Sequence, residues 1–298
     1  MRIPPCLSEG DTIAIASPAR KISMEELQPA IRFIEDQGFK ISVDDAVFNQ
    51  FHQFAGPDFE RAAHFQTLLD DPEVKAILCA RGGYGSLRII DRLDFSKFTQ
   101  HPKWIIGYSD ITVIHTRLLQ LGIASMHATM PLNFAGNTTE SLQSLADVLH
   151  SRPLNYTIDS HPLNRTGRVK GQLVGGNLSI LYSLAGSSDF PDMKGKILFL
   201  EDLDEYLYHI DRMILSLKRM GVFGQLSGLI VGGMTDMKDN AIPFGKTAEE
   251  IISEHVSEYD FPVCFGFPVG HISDNRALIL GRIYKFQVNE MVQLGENE

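Results

Sequence analysis

Trp104-Ile105-Ile106-Gly107-Tyr108-Ser109-Asp110-Ile111-Thr112 reads as a short apolar strand that meets a glycine, turns sharply and enters a helix. A run this apolar suits a strand buried on both faces, as in a parallel sheet covered by helices. Similar segments lie upstream: Thr12-Ile13-Ala14-Ile15-Ala16 stops at Ser17-Pro18, and Val74 to Cys79 ends in Arg81-Gly82-Gly83-Tyr84-Gly85. Helical patterns fill the gaps. Ser23 and Glu26 make a capping box, and Leu27, Ile31 and Ile34 follow at helical spacing up to Gly38. Lys40 to Val43 is the next strand, then Pro57 to Leu69 is a helix with Phe59, Ala62, Ala63, Phe65 and Leu69 as its apolar positions. Another helix runs from Asp110 to about Leu121. Strands alternating with helices of this length predict an α/β fold: a doubly wound, mostly parallel sheet with helices on both faces.

From Ser151 to Thr166 the periodicity fades and Pro153, Pro162, Asn164 and Gly167 accumulate. This predicts an N-terminal domain over 1–155, a linker over 156–167 and a C-terminal domain over 168–298. In the second domain Asn177 to Leu184, Ile210 to Met220 and Thr247 to Val256 read as helices. Lys196 to Leu200, Leu229 to Val231 and Pro262 to Phe267 read as strands, and Ala277 to Leu294 alternates like a hairpin. The chain shows neither an internal repeat nor a low-complexity tract.

Composition removes several classes of function. The 298 residues are 44% hydrophobic and 21% charged, an ordinary globular mix, and carry a net charge of −10. Nucleic acid and anionic membrane surfaces select basic faces, so neither is the expected partner. Cys6, Cys79 and Cys264 are scattered and odd in number, which fits a reducing compartment and no zinc ribbon. Met1 to Pro5 lacks a signal-peptide core, and no stretch approaches the roughly 18 apolar residues of a membrane span, so a soluble cytoplasmic protein is expected. Gly245-Lys246-Thr247 resembles the end of a phosphate loop, but Asn240 stands where its first glycine is needed. Gly83-Tyr84-Gly85 fails as a dinucleotide fingerprint because Arg88 takes the third glycine position. The ten histidines show no metal-ligand spacing, so neither a metal nor an organic cofactor is expected.

The opening segment also carries chemistry. It is half of a nucleophile elbow, with Ile111 where a second glycine would follow the serine. Ser109 would stand above the carboxyl edge of the sheet, with the Asp110 amide facing any adjacent oxyanion. A plain N-cap explains the same two residues. The Gly82-Gly83 pair falls on the same edge and could supply a second donor, or simply a tight turn. A serine nucleophile needs a base and an orienting acid. Leu198-Phe199-Leu200 leads into Glu201-Asp202, with Asp204 and Glu205 close behind, and Phe265 to Gly270 leads into His271. Spacing alone leaves these as a triad or as surface turns.

At these residues the sequence resembles the serine LD-carboxypeptidases, cytosolic enzymes of murein recycling. The resemblance runs through Gly10-Asp11-Thr12-Ile13-Ala14-Ile15-Ala16-Ser17-Pro18, Arg81-Gly82-Gly83-Tyr84-Gly85 and Gly107-Tyr108-Ser109-Asp110. It continues through Gly175-Gly176-Asn177-Leu178, Leu200-Glu201-Asp202 and Gly270-His271, with 70 residues separating Glu201 from His271. The resemblance implies Ser109 as nucleophile, His271 as general base and Glu201 as the residue that orients it, with Glu205 a nearby competitor. It implies an oxyanion hole from the backbone amides of Asp110 and Gly83. It further implies a smaller β-rich C-terminal domain, a homodimer, and a murein tetrapeptide substrate losing its terminal D-alanine. Arg81 and Arg276 are candidates for the terminal carboxylate. His127-Ala128-Thr129-Met130-Pro131 departs from the Gly-Pro step of many relatives, which leaves that loop's substrate contacts open. Some members of the same family cleave aminoacyl-nucleotide amides instead. That is the alternative within the family, though no added aromatic loop is evident and Trp104, the single tryptophan, sits in a strand. A non-catalytic ligand-binding protein is the alternative outside it.

Overall fold

The structure, a computed structural model, describes residues 1–296. The chain forms two compact units, Met1–Arg152 with Ser273–Leu280, and Pro153–Ile272 with the tail from Gly281. In chain order the first strands are β1 (Thr12–Ala16), β2 (Lys40–Ser42), β3 (Val74–Cys79), β4 (Trp104–Gly107) and β5 (Ser125–His127). They are followed by β6 (Asn155–Asp159), β7 (Gly167–Asn177), β8 (Ile197–Leu203), β9 (Gly228–Thr235) and β10 (Val263–Cys264). The last three are β11 (Leu278–Leu280), β12 (Ile283–Val288) and β13 (Met291–Glu296).

The first unit holds a six-stranded sheet in the order β11-β5-β4-β3-β1-β2. β1 to β5 are parallel and β11 is antiparallel on the edge. The chain winds from β1 out to β2 and then back past β1 to β3, β4 and β5. Right-handed crossovers therefore put the first connecting helix on one face and the later ones on the other, and leave a crevice at the carboxyl ends of β1 and β3. Ile77, Leu78, Ile105 and Ile106 are buried, which is why these strands read as unbroken apolar runs. The capping box forms as expected: Glu26 N–H donates to Ser23 Oγ and the Glu26 carboxylate accepts from the Ser23 amide, opening the helix Met24–Asp36. The helix Asp58–Asp70 departs from the expected face. Phe59 is 63% exposed, while Arg61 is buried. Arg61 can sit inside because its guanidinium donates to the carbonyls of Pro18, Gly56 and Gly85 and pairs with Asp58.

The second unit holds a seven-stranded sheet in the order β10-β9-β8-β7-β12-β13-β6. β7 joins two kinds of pairing. Gly167 to Gln172 runs antiparallel to β12, whereas Leu173 to Asn177 runs parallel to β8. The parallel half positions the site.

Two expectations about the domains change. The segment 156–167 is not simply a linker: β6 occupies its start and pairs with β13, and Gly167 already belongs to β7. The Pro- and Asn-rich turn is real, but a strand whose partner lies far along the chain leaves little local signal. The tail likewise divides. β12 and β13 form the expected hairpin, whereas β11 joins the edge of the first unit's sheet against β5. Of Pro262 to Phe267 only Val263–Cys264 is a strand, although its apolar residues are buried.

Candidate active site

β4 ends at Gly107, the residue that lets the turn close. A Cβ there would lie 2.9 Å from Ile111 Cγ1 and 3.2 Å from Cys79 Cβ. The Gly107 carbonyl is held by His115 Nε2 at 2.8 Å, and His115 Nδ1 lies 2.8 Å from Ser125 Oγ. Burial lowers the pKa of His115 to about 4, so the ring is neutral. A carbonyl can only accept, so Nε2 carries the proton and Nδ1 accepts from Ser125. The loop that departs from the family pattern packs here too: Ala128 N–H donates to the same Gly107 carbonyl, and the Tyr108 and His127 rings lie 5.7 Å apart.

Ser109 has φ +63, the left-handed region that a β-carbon disfavours by about 1–2 kcal/mol. A non-glycine residue held there at a strand–helix corner is the local mark of a nucleophile elbow. Asp110 helps to hold it. Its buried carboxylate accepts from the Ser86 amide at 2.8 Å, tying the elbow to the loop after β3. Burial raises the Asp110 pKa against the pull of the Ser86 hydrogen bond. The two loop glycines differ in position. A Cβ on Gly82 would touch Ser109 Oγ at 3.2 Å and the Asp110 nitrogen at 3.3 Å, so its bareness is what admits the serine. Gly83 has φ +107, and its face is covered by the stem of Arg20, 2.5 Å from where a Cβ would be. Arg81 donates to the Lys21 carbonyl, and burial with the nearby Arg20 charge lowers its pKa against the pull of Glu26.

In the second unit β8 delivers Glu201, fully buried, and its Oε2 lies 2.6 Å from His271 Nδ1. The approach depends on two departures from regular strand. The pairing of β8 with β9 shifts register between Leu200 and Asp202, opposite Gly232 and Gly233. Gly233 N–H donates to the Val269 carbonyl, and a Cβ on Gly232 would lie 2.4 Å from that same oxygen. The bulge thus makes room for Val269-Gly270-His271. Gly270, with φ +105, lies against Glu201: a Cβ there would be 2.6 Å from both Cβ and Oε2 of Glu201. Thr235 Oγ1 donates to the His271 carbonyl at 3.1 Å and fixes the far side of the turn. Burial works against the imidazolium, yet the charge and hydrogen bond of Glu201, with Asp202 adding to them, raise the His271 pKa. Nδ1 donates to the carboxylate, leaving Nε2 as the basic nitrogen.

Glu205 does not compete with Glu201, because its carboxylate is 2.5 Å from His209 Nδ1, one helical turn along. Arg276 is engaged in a two-pronged pair with Asp274. Thr247 and Glu250 form a capping box and Lys246 pairs with Glu254, so the apparent phosphate loop is a helix start. Glu201 and His271 are brought together within the second unit, and Ser109 belongs to the first. Sequence reasoning missed the side chains of Asp110, His115 and Asp202, the closeness of Gly82 to Ser109, and Arg20. Only adjacency to Ser109 or Glu201 pointed to any of them.

Family profiles for the LD-carboxypeptidase N-terminal and C-terminal domains match residues 13–128 and 170–286. The chain belongs to the LD-carboxypeptidase family. Membership makes it a serine-type carboxypeptidase in the broad sense. This LD-carboxypeptidase is 35% identical to the probable murein peptide carboxypeptidase of Bacillus subtilis, over 93% of this chain and 89% of that protein. It is 28% identical to the murein tetrapeptide carboxypeptidase of Pseudomonas aeruginosa, over 94% of each. The crystal structure of muramoyltetrapeptide carboxypeptidase from Oxalobacter formigenes matches with a TM-score of 0.88 at 29% identity, covering 96% of this chain and 99% of that one. The α/β class with two sheets, read first from alternating apolar runs, is the class of this family.

Proposed function

We propose that this LD-carboxypeptidase hydrolyses the amide between the L-centre of a diamino acid and the terminal D-alanine of a murein tetrapeptide. The observation that carries the reading is the pair of Glu201 and His271 at 2.6 Å, read with a strained serine elbow in the same chain. His271 Nε2 takes the Ser109 proton and Ser109 Oγ attacks the carbonyl carbon. The oxyanion is received by the amides of Asp110 and Gly83. The C–N bond breaks as imidazolium protonates the leaving amine, D-alanine departs, and water hydrolyses the acyl-enzyme by the reverse proton path. Arg81 is the candidate for the substrate's terminal carboxylate, with the Arg20 charge nearby and Glu26 as its present acidic neighbour. We place the enzyme in the cytoplasm, a reading supported by three free thiols, and carry over from the sequence resemblance a homodimer acting on recycled peptides. Among the described residues no helix is long and apolar enough to cross a membrane.

Mass spectrometry of a D-alanine-terminated tetrapeptide, incubated with wild type and with Ser109→Ala, tests the proposal. Loss of one alanine with wild type alone is the expected result. Cleavage by both chains would sink the triad. Cleavage by neither would overturn the murein substrate and pass the test to an aminoacyl-sulfamoyl adenosine. If that too is untouched, failure of a serine-reactive probe to label Ser109 would point to a non-catalytic binding protein.

A further inference from the structure

Asp202 follows Glu201 on β8, is equally inaccessible to solvent, and has no role in the proposed mechanism. Its carboxylate is enclosed by three donors. Asn177 Nδ2 reaches Oδ1 at 2.8 Å, the Leu203 amide reaches the same oxygen at 2.9 Å, and the Ser179 amide reaches Oδ2 at 2.9 Å. The orientation of the Asn177 amide is determined independently, because its Oδ1 accepts from Ser179 Oγ at 2.7 Å and from the Ile180 amide at 3.2 Å. Each of these three contacts donates, so the cage favours the charged carboxylate, against burial and the adjacent Glu201 charge. Asn177 is also paired with Glu201 across β7 and β8. The cage thus clamps the two strands at the point from which Glu201 projects.

We infer that Asp202 is a positioning residue for the Glu201–His271 pair: it locks the end of β8 behind Glu201 and adds its negative charge to the field at His271. The inference rests on the catalytic reading of those two residues. Asp202 is held by Asn177, Leu203 and Ser179, so it acts on His271 through Glu201 and through space. Burial and the Glu201 charge push Asp202 up to about 7, opposed by the hydrogen bonds of Asn177 and Leu203, with Glu205 raising it further. Glu201 and, after it, Asp202 are charged groups of its own unit that act on His271. Glu205 bears on Asp202 but is paired with His209.

Asp202→Asn removes the charge at nearly constant volume. Two readouts separate the positioning role from a purely structural one: the ring signals of His271 followed by NMR against pH in the full chain, and the pH profile of kcat/KM on the tetrapeptide. The expected result is a His271 midpoint moved to lower pH, an acid limb of kcat/KM moved with it, and a kcat loss of about tenfold with KM within about twofold. Asp202→Glu, which keeps the charge, should restore the His271 midpoint. An unmoved midpoint with a folded Asn variant overturns the inference. Should the Asn chain fail to fold, Asp202→Ser leaves room for water against the same three donors and carries the same readouts. Loss of folding in both variants would assign Asp202 to stability alone and refute the positioning role. A wild type that does not cleave the tetrapeptide would refute the substrate, while the NMR midpoint would still decide on Asp202.

Discussion

Gly270→Ala places a single methyl group against Glu201, next to His271 in the proposed base–acid pair. The native φ of +105 is outside the range an alanine adopts comfortably, at about 1–2 kcal/mol. The new Cβ would sit 2.6 Å from Glu201 Cβ and Oε2 and 2.8 Å from Cγ, far inside contact distance. Glu201 is fully buried on a paired strand and cannot swing away, so relief must come from the His271 turn. Overpacking of this kind costs about 1–3 kcal/mol more, giving about 2–5 kcal/mol together. With a urea slope of about 2–3 kcal/mol per molar, the urea midpoint should fall by about 0.7–2.5 M. The 2.6 Å hydrogen bond would lengthen, and a misplacement near 1 Å can lower kcat by about a hundredfold. Urea denaturation followed by circular dichroism, with kcat on the tetrapeptide, measures both effects. A Gly270→Ala enzyme with wild-type midpoint and kcat would refute the claim that this glycine exists to let His271 approach Glu201.

Three further outcomes follow from the same geometry. Ser109→Gly and Ser109→Ala should both be inactive, but the glycine variant should be the more stable by about 1 kcal/mol in urea melts, because only it is relieved at φ +63. With His271 as the proposed general base, which works when neutral, kcat/KM should rise through a midpoint above its ordinary 6.5, and Glu201→Gln should move that limb to lower pH by removing the charge that opposes burial. By linkage, the stability that His271 gains from Glu201 is full below pH 6.5 and disappears as pH rises through the raised midpoint; a limb unmoved in the Gln variant would contradict this. His115 behaves in the opposite sense. Its pKa falls from 6.5 to about 4, so stability is intact above pH 6.5 and about 3 kcal/mol is lost between there and pH 4. His115→Gln should flatten that part of the acid-unfolding curve, and equal acid sensitivity in both chains would argue against a neutral buried ring.

Much of the architecture is visible in local pattern. β1, β3 and β4 are apolar runs that stop at Ser17-Pro18, Arg81-Gly82-Gly83 and Gly107, and their shared length and burial make a parallel sheet the natural solution. Ser23 and Glu26 announced a helix start because a capping box is satisfied within four residues. Glu201 and His271 were visible because each follows a buried run. Phe59 misled, since an apolar residue on an exposed turn of helix and a buried Arg61 invert the expected pattern, and only the carbonyls around Arg61 explain it.

What the sequence determined by itself is therefore what short-range physics controls: the alternation of elements, their caps, the strand–turn–helix corner at Ser109 and the identity of the residues at the strand ends. The tertiary structure decided which of them meet. It sent β11 to the edge of the first unit's sheet, and gave Glu201 rather than Glu205 to His271. It also set Gly82 against Ser109 and enclosed Asp202 with Asn177, Leu203 and Ser179. Each of these depends on a register shift, a bulge or a strand partner many residues away. Such choices are made by how well whole surfaces pack, and no local window of sequence contains both surfaces.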